Sequence, residues 1–140
     1  MINSDKKPEQ YAPLVLAYIG DAIYEAYVRS RVIEENPDMP AHKLHNKTVK
    51  YVRANSQANS IHSMMEMLDE EETAVFKRGR NAKSPTTAKN ATLVDYRHAT
   101  GFEALIGYTY LSNNTDRLHE LMKTAFDNAI LKTEKTIKSI

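Results

Sequence analysis

Apolar positions recur at spacings of three and four along most of the chain, and strand-like runs of alternating Val, Ile and Thr are missing. That periodicity predicts helices throughout. A polar opening to about residue 11 precedes a long helix from about Pro13 to Glu35. Pro13 suits a first turn, where its missing N–H is not needed, and Asn36-Pro37 stops the helix. A second helix is expected from about Pro40 to Val52, and a third over about residues 54–68. Asp69 then reads as an N-cap, with Glu72 three residues on as its capping-box partner. The helix it starts is expected to end near Gly79, a glycine in the C-cap position. Residues 80–92 are polar, contain Pro85 and read as a loop. A helix over about residues 93–111 follows, then a Ser112-Asn113-Asn114 turn, then a last helix capped by Thr115 or Asp116 and running to about Lys135. Internal repeats and low-complexity segments are absent from the sequence. The expectation is one all-α domain over residues 1–140, a helical bundle with its core over about 10–130.

Within this pattern two nearly uncharged stretches stand out, residues 14–23 (LVLAYIGDAI) and 101–111 (GFEALIGYTYL). Each carries a single acid, Asp21 or Glu103, with no Lys or Arg in the stretch to neutralise it. Both read as buried helix segments, and an unpaired buried carboxylate is costly unless it is neutral, hydrogen-bonded or bound to a cation. Two such acids on two apolar helices point to a shared metal ion, and so to hydrolytic chemistry. Oxygen ligands of this kind suit Mg²⁺, which keeps waters and bridges to substrate phosphates. Leu14, Tyr18, Asp21, Glu25 and Val28 fall on one helical stripe, which brings Glu25 in as a further candidate ligand. Gly20 weakens a helix by about 0.5–1 kcal/mol relative to Ala; close approach of a second helix or a ligand would explain it. Ala104 and Gly107 offer a small-residue surface for the same kind of packing.

Residues 77–97 change the picture again. Lys77, Arg78, Arg80, Lys83, Lys89 and Arg97 face only Asp95, a local balance of +5 in a chain whose net charge is +1. Asn81, Ser84, Thr86, Thr87 and Asn90 add hydrogen-bonding side chains, so the segment reads as a binding site for a polyanion. A weaker basic row, Lys43, Lys47 and Lys50, reads as an ordinary solvated helix face.

The 140 residues suffice for one domain with a real core. No cysteine occurs, which excludes a disulfide scaffold, a zinc ribbon and a thiol nucleophile. No apolar run reaches the roughly 18–20 residues needed to span a bilayer, and the opening residues lack the apolar segment of a signal peptide. A cytoplasmic location without membrane attachment is the simplest expectation.

The two acidic stretches and the basic segment together resemble a ribonuclease III catalytic domain, and most closely the Mini-ribonuclease III group. Tyr18-Ile19-Gly20-Asp21-Ala22 is similar to the family's signature helix, E-x-x-E-[FY]-[LI]-G-D-[AS]. Phe102-Glu103-Ala104-Leu105-Ile106-Gly107, ending at Tyr110-Leu111, is similar to D-x-F-E-A-L-[IL]-G-x-x-Y-L. Arg78-Gly79-Arg80-Asn81-Ala82-Lys83-Ser84 resembles the basic loop of the Mini group. The resemblance implies a homodimeric all-helical endonuclease fold and Mg²⁺-dependent cleavage of double-stranded RNA, with Mn²⁺ as a substitute ion. It further implies 5′-phosphate and 3′-hydroxyl ends, one strand cut by each subunit's acids, and maturation of large-subunit (23S) ribosomal RNA precursor. A ribosomal protein or subunit is then an expected partner. A separate double-stranded-RNA-binding domain is not expected. Asp21 and Glu103 match the family's catalytic metal ligands, and Lys77, Arg78, Arg80, Asn81, Lys83 and Arg97 are the expected RNA contacts. Leu14, Ala17 and Thr100 stand where the family's other acids belong, which makes Glu25 a candidate replacement. A non-catalytic RNA- or ribosome-binding helical module, and a helical protein-interaction module, are the alternative readings.

Overall fold

Nine of the nineteen residues from Leu93 to Leu111 are buried, and they point in every direction around the helix they form. A helix apolar on all sides belongs in the middle of a bundle, and this one does. In the computed structural model, which describes residues 5–83 and 91–130, it is α5, and four other helices pack around it. Those four are α1 (Pro13–Glu35), α3 (Ala54–Met64), α4 (Glu70–Asn81) and α6 (Thr115–Asp127); α2 (Ala41–Val52) packs on α1 and α3 instead. The described residues contain no strand. A larger core cluster joins Tyr24, Val28, Ile61, Phe76, Phe102, Leu105, Leu121 and Phe126, and a smaller one joins Leu16, Ala17, Val75 and Ala104.

The start signals act as expected. Pro13 opens α1, and the Asp69–Glu72 capping box forms, with Glu72 N–H donating to Asp69 Oδ1 at 2.7 Å and Asp69 N–H to Glu72 Oε1 at 2.9 Å. Three boundaries differ from the sequence reading. Gly79 does not end α4, which runs on to Asn81. It has no positive φ and is buried against α5, where an added Cβ would stand 2.8 Å from Ala104 Cβ and 2.9 Å from Gly101 Cα. The missing side chain serves helix packing, not capping. The third helix is α-helical only to Met64, with a 3-10 turn over Met65–Met67. The last helix is capped by Asn114, whose side chain accepts from Arg117 N–H at 3.3 Å, and it stops at Asp127. There Asn128 Nδ2 donates back to the Thr124 carbonyl at 2.9 Å. The expected end at Lys135 falls outside the described residues. The predicted Ser112-Asn113-Asn114 turn is present, with Asn113 in the left-handed region at φ 58°.

Candidate active site

Two glycines bring the acids together. An added Cβ at Gly20 would lie 1.8 Å from the Glu103 carbonyl oxygen, and one at Gly107 would lie 1.9 Å from the Leu16 carbonyl oxygen. The backbones of α1 and α5 therefore touch twice, one turn apart on each helix. A side chain adjacent to Gly20 on α1 and the side chain of Glu103 on α5 are held side by side as a consequence. Here is the physical reason for the glycine that helix propensity disfavours.

The carboxyl groups of Asp21 and Glu103 stand beside each other across this contact, close enough for one to act on the other. Burial first, and then the neighbouring Asp21 carboxyl, push the Glu103 carboxyl up to about 9, against an ordinary 4.5. The side-chain amide of Gln57, on the first turn of α3, lies beside Glu103 and acts on it in the opposite direction. Beside the pair lies a cavity of about 140 Å³, lined by Val52, Ala54, Gln57, Tyr96, Ala99, Thr100 and Glu103. Thr100 turns its hydroxyl back to the Tyr96 carbonyl at 2.9 Å.

Not every expectation about the acids holds. Residues 14–23 are not buried all round: Tyr18 is 81% exposed, and Val15, Asp21 and Ala22 also face outward in the single chain. The inward stripe of α1 is Leu16, Ala17, Gly20, Tyr24, Val28 and Val32. Glu25 sits one turn beyond Asp21 with its carboxylate paired to Arg29 at 3.2 Å. Among the described residues, no group of three His, Cys, Asp or Glu side chains is gathered to hold a metal. The pair Asp21 and Glu103 is thus assembled, whereas the trio with Glu25 is not.

The pair still fits a divalent ion. Two carboxyl groups in contact repel once both are ionised, and a cation between them removes that penalty. The donors are oxygens alone, the set preferred by a hard ion that keeps several waters.

The basic residues are more ordered than a loop. Lys77, Arg78, Arg80 and Asn81 lie on the last turns of α4, Lys83 follows directly, and Arg97 is on the first turns of α5. Lys77, Arg78, Asn81, Lys83 and Arg97 are exposed; Arg80 is partly covered, with its guanidinium 5.7 Å from the Phe76 ring centre and Nε donating to Asn81 Oδ1 at 3.1 Å. Ser84, Thr86, Thr87, Lys89 and Asn90 lie outside the described residues. The Gly79 contact sets the basic end of α4 against residues 100–104 of α5, the segment that carries Glu103.

Gln57 has no place in the reading from sequence. A signal was there: Gln57, Ile61 and Met64 form the buried stripe of α3, so an amide occupies a core position.

Comparison with known proteins bears on the family and the fold. Residues 14–114 match the model of the Ribonuclease III domain. Mini-ribonuclease 3 of Clostridium tetani is 55% identical over 115 residues, covering 82% of this chain and 76% of its own length. Mini-ribonuclease 3 of Brevibacillus brevis is 50% identical over 121 residues, 86% of this chain and 90% of its own. A crystal structure of a Fusobacterium nucleatum protein superposes with a TM-score of 0.79 at 27% identity, covering 89% of this chain and 100% of that one. By its motifs, its helical architecture and these relatives, the chain belongs to the ribonuclease III family, alongside the Mini-ribonuclease 3 proteins.

Proposed function

We propose that this ribonuclease III family endoribonuclease hydrolyses double-stranded RNA with the help of a divalent ion, Mg²⁺ or in its place Mn²⁺, held by Asp21 and Glu103. The contact between those two carboxyl groups, on helices locked together through Gly20 and Gly107, carries the reading. Such an ion, when bound, supplies an activated water and neutralises charge on the scissile phosphate, leaving 5′-phosphate and 3′-hydroxyl ends. Asp21 and Glu103 supply its oxygen ligands. Glu25 would have to leave Arg29 to join them. The side chains of Lys77, Arg78, Arg80, Asn81, Lys83 and Arg97 grip phosphates of the duplex, whose A-form minor groove is read by shape more than by sequence.

A second copy of the chain completes the enzyme. Val15, Tyr18 and Ile33 are 48%, 81% and 52% exposed, and with Ala22 and Ala26 they make an apolar outer stripe on α1. Large exposed apolar side chains in a row mark an interface. A homodimer joined here would set one acid pair against each strand. The likeness to Mini-ribonuclease 3 proteins supports maturation of large-subunit ribosomal RNA precursor as the cellular task, in the cytoplasm, with a ribosomal protein or subunit presenting the substrate. No helix among the described residues is long and apolar enough to cross a membrane. The test is incubation of a long RNA duplex with and without Mg²⁺, followed by end mapping. Metal-dependent double-strand cuts with 5′-phosphate ends are expected; binding without cutting would leave a non-catalytic RNA-binding module.

A further inference from the structure

Gln57 is 2% exposed, and its burial is not explained by packing alone. An amide placed at a core position costs about 1–3 kcal/mol unless its polar atoms are paired. On the same buried face of α3, Ile61 and Met64 are apolar and the Ser60 hydroxyl is committed to the Ala125 carbonyl at 2.7 Å. The cavity it lines has apolar walls in Val52, Ala54 and Ala99, and the Glu103 carboxyl opens onto the same cavity, beside the amide. The ionised Glu103 that a cation requires only accepts hydrogen bonds, so toward that form the Gln57 amide N–H is the donor. Among the described residues no Lys or Arg acts on Glu103, and the nearby Thr100 hydroxyl is committed to the Tyr96 carbonyl.

We propose that Gln57 is a positioning residue of the active site: its amide fixes the Glu103 carboxylate in the orientation that meets Asp21, and so preorganises the pair for a divalent cation. This rests on the metal-binding reading above. A neutral donor suits the task. A Lys or Arg in the same place would compete with the cation for Glu103, and an acid would add repulsion. Ligand orientation by hydrogen bonds from outside the metal shell is worth about 10–100-fold in metal affinity. Among the described residues no third His, Cys, Asp or Glu joins Asp21 and Glu103, so few carboxylates hold the ion and the orientation of each matters more.

The test measures Mn²⁺ binding to the purified full chain by isothermal titration calorimetry, without RNA. Wild type, Gln57→Leu and Asp21→Asn are compared, with circular dichroism and thermal melting on each. We expect wild type to bind Mn²⁺, Asp21→Asn to lose that binding, and Gln57→Leu to bind about tenfold or more weakly with a melting temperature at or above wild type. Its duplex cleavage should recover as the metal concentration is raised, which a damaged fold would not do. Should Gln57→Leu fail to fold, Gln57→Met, of similar length and without a donor, carries the test. A folded Leu or Met variant with wild-type Mn²⁺ affinity overturns the role of Gln57. Wild type showing no Mn²⁺ binding that Asp21→Asn removes defeats the underlying metal reading instead.

Discussion

Glu103 holds a proton at neutral pH in the metal-free protein, because burial and the facing Asp21 carboxyl push it up to about 9 from an ordinary 4.5. A raised carboxyl means the folded state binds more protons than the unfolded one between those values, so stability falls as pH rises through that window. Glu103→Gln removes this slope. It should stabilise the metal-free protein at pH 8 by on the order of 1 kcal/mol while abolishing cleavage; urea denaturation across pH 5–9 reads the first effect. A divalent cation held as proposed would reverse the situation, since it would bind the deprotonated pair. Divalent affinity should therefore rise with pH through the same range, each ion displacing a proton. The two acids were legible in the sequence because a charge inside an apolar run is an anomaly. Gln57 was harder to read: its spacing to Ile61 and Met64 marks a core position, but among Asn55, Ser56, Asn59 and Ser60 it looks like one more residue of a polar helix.

Among the elements, the α1–α5 contact is the least forgiving. Gly20→Ala would place a methyl against the Glu103 carbonyl, which is backbone and cannot rotate away. A loss of about 3 kcal/mol or more is expected, measured by denaturant unfolding, together with lost activity as the acids part. A second constraint ties the start of α4 to α6. Arg117 reaches Glu72 through Nε and a terminal nitrogen at 2.8 and 2.7 Å, and the Met67 carbonyl at 2.6 Å. These bonds hold the Glu72 carboxyl below the usual carboxylate range. Arg117→Ala leaves a carboxylate that is 5% exposed without its partner, and should cost about 3–5 kcal/mol near neutral pH. Because Glu72 is lowered, that stabilisation holds above its ordinary pKa and fades as pH falls through the folded value. Helix starts were readable, since Pro13 and the Asp69–Glu72 box act locally. The end of α4 was not: Gly79 looks like a cap in one dimension and becomes a packing surface only when α5 crosses it. Nor does the sequence near Arg117 show that its partner lies forty-five residues earlier.

At the scale of the whole molecule, the outer stripe of α1 and the basic end of α4 are surfaces that the single chain leaves open. Tyr18→Glu should weaken self-association at least about tenfold in sedimentation velocity, near 1.4 kcal/mol, while each chain keeps its helicity. With about four to six phosphates contacted, duplex affinity should fall with salt at a log–log slope of roughly −3 to −5. Arg78→Ala should make that slope shallower by about one unit. In the function proposed above, the pairing of Asp21 with Glu103 around one cation would unite these surfaces into an enzyme. Crystals soaked in Mn²⁺ and measured for anomalous scattering address it directly. A single manganese peak bridging the Asp21 and Glu103 carboxylates of one protomer is the expected result. A peak bound by neither, or the two side chains turned apart, would contradict the assignment of this site.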